Sequence, residues 1–192
     1  MDIRGKTIGF AMTGSFCTFG RAFPQAEMLT RAGARVIPIL SFNAYEMDTR
    51  FFTAADVRLR LTAATGEDAL HTLGQVEPIG PKHLLDLLII APCTGNTLAK
   101  LAAGIADTPV TLAAKSHLRN SGPVLIAVST NDGLAAAAQN IGELLARRHY
   151  FFVPFEQDDP EGKPRSLVAR MEDIPACAAL ALDGVQAQPV LT

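Results

Sequence analysis

A doubly wound α/β fold, one parallel sheet between two layers of helices, is what this chain of 192 residues predicts. Three observations carry that expectation. Runs that are apolar throughout, such as TIGFAM at 7–12, residues 85–91 and VLIAVS at 124–129, read as strands buried on both faces. Stretches of helical length separate them, which makes the strands parallel and the connections crossovers. Small polar residues follow several of the strands directly, where open parallel sheets bind their ligands.

The elements follow in order. After the first strand and Thr13-Gly14-Ser15, a helix runs to about residue 32 and stops at Gly33. RVIPIL at 35–40 is the second strand, and Pro38 within it calls for an edge or a bulge. Residues 53–65 read as a helix ended by Gly66, and 85–91 is the strongest strand signal, bounded by Pro81 and Pro92. Helices over 97–105 and 110–118 precede a turn at Asn120-Ser121-Gly122-Pro123. The strand at 124–129, a helix over 134–147 and a last strand at 150–153 come next. A closing helix over 167–182 is interrupted or restarted at Pro175, and the polar stretch 157–165 reads as a mobile loop. With no repeat and no internal linker, residues 1–192 form one Rossmann-like or flavodoxin-like domain of three layers.

Composition excludes several classes. With 48% hydrophobic residues and a net charge of −2 the chain is globular and lacks the basic face that nucleic acid requires. Arg147-Arg148-His149 reads as a complement to the dipole of the helix before it. No apolar run approaches the roughly 20 residues of a membrane span. Three cysteines, Cys17, Cys93 and Cys177, without C-x-x-C spacing, argue for a reducing cytoplasm and against a zinc site.

Four strand-end loops carry the candidate chemistry. In the first, Gly14 allows close backbone approach and the next helix directs N–H groups at an anion. Gly9 to Ser15 has the outline of a P-loop, yet no lysine follows Gly14, so a nucleoside triphosphate is disfavoured. In the second, Ser41 either donates to a phosphate oxygen or caps a helix. The third, Pro92-Cys93-Thr94-Gly95-Asn96-Thr97, holds three polar side chains and a glycine where one cap needs a single such residue. In the fourth, Ser129-Thr130-Asn131-Asp132, Asn131 suits a carboxylate or ring carbonyl and Asp132 a helix cap. Cys17 and Cys93 lie beside helix starts, which lower thiol pKa values, while buried inert thiols are the commoner outcome. His83, His117 and His149 read as surface residues and Cys177 as core.

PCTGNTLAK with Gly104-Ile105-Ala106-Asp107 resembles the Pro-Ala-Ser-Ala-Asn-Thr signature of the homo-oligomeric flavin-containing cysteine decarboxylase superfamily. Within it, TGSFCTF, PILSFNAYEMDTRF, VSTNDGLAAAAQNIG, VPFEQDDPEGKP and QPVL are similar to the family of dipicolinate synthase B subunits, so the resemblance spans nearly the whole chain. It implies FMN bound between subunits of a trimer or dodecamer, by Thr13, Gly14, Ser15, Ser41, Phe42, Thr94, Asn96 and Thr97. Asn131 is the counterpart of the Asn in the superfamily's Pro-Ala-Met-Asn motif, with Ser129-Thr130 in place of Ala-Met, which implies that Asn131 holds the substrate carboxylate, with Ser129 and Thr130 beside the cofactor. His71 matches an upstream catalytic histidine, with residues 76–84 inserted before the strand. That insertion, and Cys93 and Gly95 in place of two alanines, point away from decarboxylation. The implied partner is a dehydrogenase-like A subunit carrying NAD(P), in the mother cell of a sporulating bacterium, and the implied substrate is a dicarboxylate. Lys163 and Arg165, ahead of Arg50, Lys100, Lys115 and Arg119, are the cations expected to meet it. A scaffolding subunit and a decarboxylase of cysteine-like carboxylates are the alternatives.

Overall fold

In this computed structural model, which describes residues 3–192, β1 (Thr7–Met12) lies between β2 (Arg35–Leu40) and β3 (Leu87–Cys93), both parallel to it. β4 (Val124–Thr130) continues the sheet parallel to β3, and β5 (Tyr150–Phe152) pairs in parallel with the start of β4. All seven residues of β3 are buried, which explains why the chain there is apolar at every position rather than alternating. The helices α1 (Phe19–Arg31), α2 (Phe42–Glu46), α3 (Ala54–Thr65), α4 (Leu73–Val76), α5 (Gly95–Ala103), α6 (Pro109–Leu118), α7 (Ala136–Leu145) and α8 (Ile174–Leu182) make the crossovers and cover the sheet. Among the described residues, no helix is long and apolar enough to cross a membrane.

Local chemistry sets the helix ends. Thr53 and Asp56 form a capping box at the start of α3, and Gly66 ends it at φ 74°, a left-handed conformation that costs glycine least. The Thr94 hydroxyl caps α5, and Thr108 caps α6 with Pro109 in its first turn. Pro38 meets the expectation of an edge strand. It carries no N–H, and its carbonyl turns outward to accept from Leu70 N (2.9 Å), while Leu40 N donates to Leu70 O (2.8 Å).

Several expectations need correction. β3 does not end before Pro92; it runs through it to Cys93, with an irregular register against β4 between Ile90 and Cys93. Leu167–Ala169 is not helical but a buried strand, β7, antiparallel to the end of β4, and β6 (Phe155–Glu156) pairs with it in turn. The closing helix starts only at Ile174, with Pro175 in its first turn as the restart predicts. Residues 157–165, the stretch expected to be a mobile loop, connect β6 to β7, with Gln157 Nε2 donating to Pro164 O (2.9 Å) and Lys163 N to Asp159 O (2.7 Å); these bonds lie within the loop and do not bear on that expectation. Arg147 also reaches beyond the helix before it. Its guanidinium donates to Ala102 O (2.6 Å) and Leu101 O (3.3 Å), the last carbonyls of α5, and pairs with Glu143.

His117 is buried rather than on the surface, with Nε2 3.1 Å from Pro123 O. Burial pushes its pKa below the ordinary value, and the Pro123 carbonyl and Asp86 offset this only in part. Below pH about 6.5 the unfolded chain therefore takes up a proton that the folded chain refuses. Stability is expected to fall as pH drops through that value and to be insensitive to His117 above it. Urea unfolding across this range should show the slope in the wild type and less of it in His117→Gln. Equal slopes in the two would refute the assignment.

Candidate active site at the strand ends

The loops after β1, β2, β3 and β4 converge at the carboxyl edge of the sheet. Thr13 ties the first to the third. Its buried hydroxyl donates to Pro92 O (2.8 Å) and accepts from Thr94 N (3.0 Å). Ser129 ties the fourth to the first, with its Oγ 2.7 Å from Ser15 Oγ and 3.1 Å from Thr18 Oγ1. Thr130 hydrogen-bonds the Asp132 carboxylate, and the pair packs against Gly95.

These loops enclose two adjoining cavities. The larger, about 830 Å³, takes Ser15 from the first loop, Ser129, Thr130, Asn131 and Asp132 from the fourth, and Asp158, Lys163 and Ser166 from the β6–β7 turn. The smaller, about 350 Å³, is lined by Thr13, Ser41, Phe42, Thr97, Lys100 and Thr108 among others. Gly14, Thr94 and Asn96 line both and form the divide. A Cβ at Gly14 would meet only ordinary contacts, Phe16 Cε2 at 3.6 Å and Asn43 Cβ at 4.0 Å. Packing within the chain does not demand glycine there, and its absence of side chain leaves backbone bare where the cavities join.

Of the predicted cofactor and catalytic residues, all except His71 line one of these spaces. His71 follows Leu70 along the outer edge of β2 and stacks on Tyr45, ring centroids 3.6 Å apart. It reaches neither cavity of its own chain. Cys93 is fully buried at the end of β3, and burial pushes its thiol pKa up, the opposite of activation. Cys17 is exposed and lines the larger cavity.

The cations differ from those expected. Lys163 lines the larger cavity and lies 3.5 Å from Asp158, but Arg165 does not line it. Burial raises the Asp158 pKa, and hydrogen bonds from Ser166 and its own backbone with the Lys163 charge outweigh this, so the carboxyl is held below its usual range. Arg50 faces the cavity with its guanidinium 4.8 Å from the Phe51 ring centroid and no acid among the described ion pairs. Sequence reasoning missed Arg21, which lines the cavity from the first turn of α1 and holds Glu172 with two nitrogens (3.1 and 2.9 Å). Its position three residues after Thr18, on the helix that leaves the first loop, was the available signal.

Capping leaves these hydroxyls useful. The Ser41 oxygen accepts from Ala44 N (3.3 Å), which consumes a lone pair and leaves its O–H to donate. Thr94 Oγ1 and Thr97 Oγ1 lie 3.0 Å apart, so one donates to the other and a single O–H is left over. With the exposed Asn96 amide, these donors suit a ligand rich in acceptor oxygens, such as a phosphate and a ring dione.

The chain matches the Flavoprotein family over residues 1–175. It is 43% identical over 190 residues to the dipicolinate synthase B subunit of Bacillus subtilis (strain 168), covering 99% of this chain and 95% of that protein. The crystal structure of the dipicolinate synthase B subunit from Bacillus halodurans superposes with TM-score 0.92 at 42% identity, covering 100% of this chain and 98% of that one. Burkholderia xenovorans DmrB in complex with FMN shares the fold at TM-score 0.69 and 19% identity, covering 93% and 96% of the two chains. The chain thus belongs to the Flavoprotein family, alongside the dipicolinate synthase B subunits.

Proposed function

We propose that this chain is the B subunit of a dipicolinate synthase, acting in the cytoplasm of the mother cell of a sporulating bacterium. It works with a dehydrogenase-like A subunit that carries NAD(P), and as a homo-oligomer of trimers or dodecamers. The pair converts a hydroxylated tetrahydrodipicolinate to dipicolinate, by loss of one water and removal of a hydride and a proton from the ring. The observation that carries this reading is the likeness to a dipicolinate synthase B subunit along 99% of the chain.

The residues present fit FMN. Ser41, Phe42, Thr94, Asn96 and Thr97, with the bare backbone at Gly14, offer the donors that its phosphate and ring require. FMN, when bound, supplies a two-electron acceptor. The protein's own part is to bind and orient. Asn131 and Arg50 hold the substrate's carboxylates in the larger cavity, and Lys163 completes the cationic side when the β6–β7 turn lies over a dianion. Ser15 and Ser129 fix the wall between them through their shared hydrogen bond. With no histidine lining either cavity, the scaffolding alternative retains one specific support.

Titration of the purified chain with FMN tests the cofactor. Saturable flavin bands near roughly 370 and 450 nm are expected. Asn96→Ala should weaken binding about tenfold, or ~1.4 kcal/mol. Absence of binding would refute the cofactor assignment. Dipicolinate formation, followed by its ultraviolet absorbance, is expected only when both subunits are present. A full rate from the A subunit alone would reduce this chain to a bystander.

A further inference from the structure

Loss of water from a saturated ring carbon needs a group that moves a proton, and among its described residues this chain brings none of the usual ones to the cavities. No histidine lines the cavities, and the Cys93 thiol is sealed in the sheet. Two carboxylates line the larger cavity, Asp132 and Asp158. Asp158 is committed to Lys163 and Ser166.

Asp132 is placed differently from a helix cap. Its backbone carbonyl, not its side chain, accepts from Ala135 N (2.9 Å) and Ala137 N (3.2 Å) where α7 begins. The carboxylate turns instead toward the start of α5, where the Thr130 hydroxyl donates to Oδ1. There it lies against Gly95. A Cβ on residue 95 would stand 2.7 Å from Asp132 Oδ1 and 2.8 Å from Thr130 Oγ1, too close for either to remain. Glycine at 95 is therefore the condition for a carboxylate at this spot. Asn96, which divides the two cavities, follows directly, and Asn131 adjoins it on the other side.

We propose that Asp132 is the acid–base residue of this cavity, acting on a cyclic imine that bears two carboxylates and a hydroxyl group. The inference rests on the synthase reading above. The carboxylate takes the proton from the ring carbon beside the hydroxyl-bearing carbon and returns it to the departing hydroxyl. One C–H and one C–O bond break, a C=C bond forms, water leaves, and Asp132 ends as it began. No oxidant enters this step. The Thr130 hydrogen bond fixes the carboxylate's orientation, and Gly95 gives it room.

The test uses the chain together with its dehydrogenase-like A subunit. Asp132→Asn should lower kcat by roughly 10²–10⁴-fold, the usual share of a general acid–base, with KM and FMN affinity changed less than about twofold. In D₂O, substrate recovered before full turnover should carry deuterium at that ring carbon in the wild type, because a proton held on Asp132 exchanges with solvent when it goes back to carbon before the hydroxyl leaves; with Asp132→Asn it should carry none, both read by mass spectrometry. Asp132→Glu should recover part of the rate, and Gly95→Ala should lose it by displacing the carboxylate. Retained kcat or retained exchange in Asp132→Asn overturns the proposal. So does a parallel collapse of FMN affinity and thermal stability in both Asp132 variants, which marks a structural brace. If the wild-type pair forms no dipicolinate, the synthase reading itself fails and this proposal falls with it; if the pair turns over and Asp132→Asn does too, only the role of Asp132 is lost.

Discussion

Thr13→Val is expected to destabilise the protein by about 2–4 kcal/mol and to weaken FMN binding by at least about tenfold. The side chains are nearly equal in shape, so the effect isolates the hydroxyl. That one oxygen donates to Pro92 O and accepts from Thr94 N, joining the ends of β1 and β3 inside the protein. Its loss removes the bond to Pro92 O, contributing about 1 kcal/mol net, and strands the Thr94 N–H at a cost of about 1–3 kcal/mol. Pro92 O keeps the bond from Thr13 N at 3.2 Å, which sets the upper limit. Thr94 starts α5 and lines both cavities, so its displacement reaches the ligand directly. Urea unfolding and flavin titration on the same preparation check both parts. A stability change with unaltered affinity would show that the third loop holds its shape without the tie.

Gly122→Ala should cost about 3–5 kcal/mol and lower the melting temperature by roughly 10 °C. An added Cβ would lie 2.6 Å from His117 Nδ1 and nearer still to Cε1 and Nε2. The ring has no free direction, since it is buried and bonded to Pro123 O. Relief requires the imidazole to leave its place, which forfeits that bond and opens packing between α6 and β4. His117→Ala in the same chain removes the obstacle, so the double variant should be more stable than the sum of the singles predicts. Thermal melts of the four proteins decide this. A Gly122→Ala melt within about 2 °C of wild type would show that the α6–β4 turn yields cheaply.

Much of this architecture is written locally. β1 and β2 begin and end where apolar runs meet Thr13, Gly33 and Ser41, and α3 lies between its own cap at Thr53 and its stop at Gly66. The strand-end loops are legible for the same reason, because Thr94, Asn96 and Thr97 exceed what one cap needs. What escaped reading depends on distant partners. Leu167–Ala169 is a short apolar run that suits a helix or a strand equally, and only the exposed end of β4, nearly forty positions earlier, selects the strand. Arg21 carries one weak local mark, its place on the helix leaving the first loop, and the cavity it faces is assembled from four other segments. His71 shows the converse. The family resemblance suggested it for the site, but Tyr45 and the edge of β2 hold it outside both cavities.

The outer borders of the sheet carry one more consequence. Beside β2 stands Leu70, with Pro38 offering no donor; beside β5, Gln186 donates to Phe152 O and accepts from Phe152 N, both at 2.7 Å. Beside β6, Phe155 N donates to Val190 O and Phe155 O accepts from Thr192 N. Each border already has its stopper. Copies of this chain are thereby steered away from growing end to end as a continuous ribbon, the route by which open β-edges turn into fibrils. Association through helices and loops, rather than through the sheet borders, is what this arrangement leaves open.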